Sequence, residues 1–114
     1  MSKFELSLSY LEKMLKLRNV KYKILIFLIK NIIGRYQYYG KYEEVIKYYG
    51  ILYPLLKNKK IKILLLQYAS TSYYRIEQYN KCLDCLNEIE KLEPKTVGLK
   101  ERKNNVQDIV LSKN

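Results

Sequence analysis

Histidine is absent from this 114-residue chain. That removes the most frequent general base and a leading nitrogen ligand for metals, so many hydrolase and zinc-site designs are excluded. Two prolines and four glycines leave few breakpoints, and the strand-and-turn rhythm of an all-β domain is missing with them. Cysteine is limited to Cys82 and Cys85, which cannot complete a four-ligand zinc site alone. Apolar runs are short: Ile24 to Ile29 spans six residues and is closed by Lys30, against the roughly 20 needed to cross a bilayer. No Gly-rich phosphate loop, nucleophile and base pair or paired carboxylate motif occurs. Glu43-Glu44 reads as the solvated start of a helix, favoured by the dipole there. Catalytic residues, cofactors and metal ligands are therefore all expected to be none.

Acids are also few, 11 against 22 Lys and Arg, for a net charge of +11. The excess is uneven. Residues 1 to 62 carry fourteen basic and four acidic side chains, whereas residues 63 to 114 carry eight and seven. A basic N-terminal half attracts nucleic acid, anionic membrane or acidic protein through the same long-range field. Lys, Asn, Ile and Tyr share AT-rich codons, so nucleotide bias competes as the source of this charge and of the 13 tyrosines.

The most specific feature present is an internal repeat. The segment Tyr36-Gln-Tyr-Tyr-Gly-Lys-Tyr42-Glu-Glu-Val45 returns 37 residues later as Tyr73-Tyr-Arg-Ile-Glu-Gln-Tyr79-Asn-Lys-Cys82. The same step carries Ile29 to Leu66, Ile32 to Ala69, Ile33 to Ser70, Ile46 to Leu83, Tyr49 to Leu86, Leu52 to Ile89 and Leu55 to Leu92. A period within about 34 to 47 residues, built from helical hairpins, belongs to helical repeat proteins whose usual work is holding other proteins. The class expected is all-α, one domain over 1–111, with 112–114 a frayed tail.

Periodicity places six helices. Ser2 caps a first helix to about Arg18, with Phe4, Leu8, Leu11 and Leu15 on one stripe. A second spans about Val20 to Tyr39, and Gly40 supplies its left-handed end. The third runs from Tyr42 toward Leu56, bent or shortened by Pro54; Lys57-Asn-Lys-Lys60 is a loop whose insertion lengthens the period from 34 to 37. The fourth covers Ile61 to Ile76, Glu77 and Gln78 make a tight turn, and the fifth covers Tyr79 to Leu92 before Pro94. The sixth, about Lys95 to Leu111, carries Leu99, Val106, Ile109 and Val110 on one side, with Arg102 and Asn105 interrupting the apolar face.

Leu66, Ala69, Ser70, Tyr73, Tyr79, Cys82, Leu86 and Pro94 resemble a tetratricopeptide repeat: large, small, small, aromatic, aromatic, small, large, then a helix-ending proline. The copy at Ile29 to Pro54 is degenerate, with Ile33 and Val45 where small residues are usual. Over Tyr68 to Ile109, the stretch Tyr74-Arg-Ile-Glu-Gln-Tyr79-Asn-Lys-Cys-Leu83, then Leu92-Glu93-Pro94, is similar to the cytosolic domain of the mitochondrial fission protein family. The resemblance implies a six-helix bundle, two tetratricopeptide-like hairpins flanked by an extra helix at each end. It also implies a tail-anchored adaptor on the cytosolic face of a mitochondrial or mitochondrion-derived outer membrane. Its implied partners are a dynamin-related GTPase or a linking adaptor, and another copy of itself. The family's apolar tail is not found up to Asn114, so residues 1–114 are expected to be a soluble truncation without the anchor. The family's N-terminal arm is almost missing here too.

In such an architecture the concave groove is lined by the first helix of each hairpin. That sets Lys30, Gly34, Gln37 and Tyr38 beside Gln67, Thr71, Tyr74 and Arg75. Gly34 leaves space, the tyrosines offer amphipathic contact area and the cations can hold carboxylates or peptide carbonyls. The competing reading is that these are ordinary half-exposed residues of a bundle. Lys57, Lys59, Lys60 and Lys62 are candidates for contact with an anionic membrane surface. Cys82 falls at a small-residue packing position, so the cysteines read as reduced, buried thiols of a cytosolic protein. Two further functions stand beside the fission adaptor: a generic tetratricopeptide scaffold or chaperone cofactor, and a basic nucleic-acid-binding helical domain. The last is disfavoured for want of a recognition helix or base-stacking platform.

Overall fold

A computed structural model describes Ser9, Lys13 and residues 22–113, with Tyr22 described by its backbone alone. The expected first helix, Ser2 to Arg18, otherwise lies outside the described residues. Five α-helices and no strand occur among those described: α1 (Tyr22–Tyr38), α2 (Tyr42–Leu52), α3 (Lys59–Arg75), α4 (Tyr79–Leu92) and α5 (Leu99–Ser112). A short 3-10 turn, Tyr53–Leu55, extends α2.

The 37-residue step is present in the backbone itself. It carries the bounds of α1 onto those of α3, and the start of α2 onto the start of α4. It also carries Gly40 (φ 74°) onto Glu77 (φ 63°), the left-handed residues of the two hairpin turns. The turns share their hydrogen bonds. Gly40 N–H donates to the Gln37 carbonyl (2.9 Å) and Lys41 N–H to that of Tyr36 (2.8 Å). Glu77 N–H donates to the Tyr74 carbonyl (3.1 Å) and Gln78 N–H to that of Tyr73 (2.8 Å). This pair of bonds closes the carbonyls left orphaned at a helix end.

Burial follows the same step. Ile29 and Leu66, Ile32 and Ala69, Ile33 and Ser70, Val45 and Cys82, and Leu52 and Ile89 are all buried pairs. The two hairpins, α1 with α2 and α3 with α4, thus bury equivalent faces. The Ile, Leu and Val members each contribute roughly 1.5–3 kcal/mol by leaving water. Tyr49 and Tyr53 pack against both core clusters and form the seam between the hairpins.

Three helix ends differ from expectation. Pro54 lacks an amide hydrogen and crowds the preceding turn, so α2 gives way to the 3-10 turn after Leu52. Lys59 and Lys60 belong to α3, not to a loop. The Asn58 side chain accepts a hydrogen bond from Ile61 N–H (3.2 Å) and so starts the helix two residues early. Finally, α5 begins at Leu99, since successive turns follow Pro94 and Gly98 (φ 75°) holds the left-handed conformation at the N-cap.

Candidate functional site

Helix α5 lies across the second hairpin with Leu99 and Val106 buried in its core. Arg102, three residues after Leu99 and four before Val106, therefore points toward the hairpin as well. Its Nη2 donates to Ser70 Oγ (3.0 Å), and Ser70 Oγ donates to the Gln67 carbonyl (3.0 Å). Ser70 is fully buried yet satisfied.

Around this pair opens a cleft of about 470 Å³. Its α3 wall is Ser70, Thr71, Tyr74 and Arg75, and its α5 wall is Arg102, Asn105 and Val106. Cys82 and Leu86 of α4 complete the lining, which contains no acidic side chain. The only ion pairs among the described residues are Lys59 with Glu93 (3.4 Å) and Lys103 with Glu90 (3.1 Å). Arg75 and Arg102 have no carboxylate partner there. Tyr74 is exposed and meets Tyr79 edge-on, with ring centroids 5.5 Å apart.

The expected groove residues divide into two groups. Thr71, Tyr74 and Arg75 line the cleft. Gln67 is half-buried and contributes only its carbonyl, to Ser70. On α1, Lys30 and Tyr38 are exposed, and Tyr38 packs edge-on against Tyr39. Gly34 does not leave open space: a Cβ there would lie 3.1 Å from the Tyr68 hydroxyl, whose ring fills the gap between α1 and α3. Gln37 is likewise engaged, its Nε2 donating to the Tyr68 carbonyl (3.1 Å) and to Ser72 Oγ (3.3 Å). These two residues fasten the hairpins together. Of the four expected membrane-contact lysines, Lys57 and Lys60 are exposed, Lys59 pairs with Glu93, and the Lys62 ammonium sits 5.7 Å from the Tyr53 ring centroid. No helix among the described residues is long and apolar enough to cross a membrane.

Both cysteines are free and buried. Burial pushes the Cys85 thiol up to about 11, against the pull of its hydrogen bond with Tyr49. Burial also raises Cys82, with the Arg102 charge acting the other way. Tyr49 is raised by burial first and then by Cys85, and Tyr53, Tyr68 and Tyr73 are raised chiefly by burial. Neutral thiols are poor nucleophiles and poor ligands, so this cluster offers packing in place of chemistry.

Among the cleft-lining residues outside the expected groove, Arg102 is the charged one that sequence reasoning missed. Its charge reads as an interruption of an apolar face, yet its spacing from Leu99 and Val106 already put it on the inward side. Among the described residues, these features define an all-helical arrangement of two repeated hairpins with a fifth helix laid over the second. No protein-family model, curated protein or solved structure matches the chain.

Proposed function

We propose that this chain is a non-enzymatic adaptor that docks a segment of a partner protein on the face where α3 and α5 meet. The observation carrying the reading is the cleft itself: Tyr74 and Arg75 stand open beside Arg102 over an apolar floor. An aromatic and arginines around a partly desolvated floor are the residue types that anchor protein interfaces. The finer architecture in this reading is tetratricopeptide-like, with α1–α2 and α3–α4 as the two repeats and α5 as the closing helix.

The resemblance of Tyr74 to Leu83 and Leu92-Glu93-Pro94 to the mitochondrial fission family supplies the partner. In this reading the chain recruits a dynamin-related GTPase, or an adaptor linking to one, at the cytosolic face of a mitochondrial or mitochondrion-derived outer membrane. Self-association belongs to the same proposal, and exposed Lys57 and Lys60 add attraction to anionic headgroups. The test is a binding titration of the purified chain against the purified GTPase and linking adaptor of its own organism. Binding that Tyr74→Ala and Arg75→Ala each weaken supports the reading, and no binding to either protein overturns it.

A further inference from the structure

We infer that the α3–α5 cleft is a carboxylate site, taking a peptide segment whose Asp or Glu side chain, or C-terminal carboxylate, meets Arg75 and Arg102. The inference rests on the docking reading above and names the chemistry of what docks. Arginine is rare in this chain: Arg18, Arg35, Arg75 and Arg102 are the whole set, against 18 lysines. Two of the four line this one cleft, so a general abundance of lysine does not account for them.

Arg102 is the sharper case. A half-buried guanidinium without a carboxylate at a core-facing helix position carries a desolvation cost that an aliphatic residue would avoid. Its bond to Ser70 occupies one of five N–H donors and fixes the side chain at the cleft wall. The remaining donors form a planar fork suited to two carboxylate oxygens. Thr71 and Asn105 add neutral polar groups to the lining. Cys82, Leu86 and Val106 form an apolar floor, which suits an aliphatic side chain next to the acid and gives nothing to a hydrated phosphate backbone. An acidic peptide is therefore favoured over nucleic acid.

The experiment is selection of a displayed library of random short peptides on the purified chain, followed by fluorescence anisotropy of the enriched peptides. The expected outcome is enrichment of Asp or Glu beside an aliphatic residue, or of a free C-terminus. Exchange of the peptide acid for its amide, or Arg102→Gln in the chain, is expected to weaken binding about tenfold or more, with partial recovery in Arg102→Lys. Arg75 is exposed, so Arg75→Gln tests the site without touching the fold, whatever Arg102→Gln does to stability. Absence of enrichment, enriched peptides without acids, equal binding by both glutamine variants, or tighter binding of a phosphorylated counterpart would each overturn the inference. Acidic peptides bound here while the division GTPase and its adaptor stay unbound would leave this site standing and remove the fission reading. GTPase binding unaffected by both variants would remove this site and move any recruitment of the GTPase to another face.

Discussion

Gly40 and Glu77 hold the same position in two copies of one turn, 37 residues apart, and both have positive φ (74° and 63°). Glycine takes that conformation freely, whereas a side chain at Cβ crowds the following carbonyl. The second hairpin therefore tolerates a strained residue that the first avoids. Glu77→Gly is expected to stabilise the fold by about 1 kcal/mol, and Gly40→Ala to destabilise it by a similar amount. Urea denaturation of the two variants against the parent measures both signs.

Gly34 answers to a different constraint. It is mid-helix, where alanine is worth about 1 kcal/mol more than glycine, but an added methyl would stand 3.1 Å from the end of the Tyr68 side chain. A tyrosine hydroxyl can yield by a few tenths of an ångström, so Gly34→Ala is expected to be close to neutral. Gly34→Leu must displace the ring and is expected to cost about 1–3 kcal/mol. Thermal melts of the two variants separate helix propensity from inter-helix packing.

Alkaline stability follows from Cys85. Its thiol is raised from 9.0 in the free side chain to about 11 in the fold, so the unfolded chain loses that proton first. The contribution is complete below pH 9 and is lost as pH rises toward 11. Tyr49, Tyr53, Tyr68 and Tyr73, all raised, steepen the decline above pH 10. Urea midpoints measured from pH 8 to 11 should fall, and Cys85→Ala should be less sensitive between pH 9 and 11 than the parent. A midpoint independent of pH would contradict the buried neutral cluster.

The two hairpins were legible because the repeat recorded three things together: a buried stripe, a turn and the helix starts at Tyr42 and Tyr79. The start of α5 was not. Lys95 to Gly98 continues a helical pattern in sequence, and the turns after Pro94, ending in the left-handed φ of Gly98, delay the helix to Leu99. Within the site, Thr71, Tyr74 and Arg75 were legible from helical spacing, since one face of α3 determines them. Spacing along one helix says nothing about what arrives from another. Tyr68 filling the space beside Gly34, and Arg102 reaching Ser70, depend on how α1 and α5 pack against α3.

Ser70 offers a check on how Arg102 is held. Ser70→Ala removes the acceptor for Arg102 and the bond to the Gln67 carbonyl, and should cost about 1 kcal/mol of stability. Peptide affinity should fall as Arg102 loses its tether. A variant of unchanged peptide affinity would show that Arg102 needs no positioning from α3. Chemical denaturation and anisotropy on one preparation read the two effects separately.

The claim that a division partner docks on the α3–α5 face is tested most directly by photo-crosslinking inside the cells that make the protein. A photoreactive residue in place of Tyr74 would stand at the cleft, and one in place of exposed Asn87, on α4 and outside the cleft lining, would serve as the control. The account predicts a crosslink from position 74 to a dynamin-related GTPase or its linking adaptor, absent from position 87 and lost in Arg75→Gln. No crosslink from position 74 to either protein, or an equal one from position 87, would contradict it.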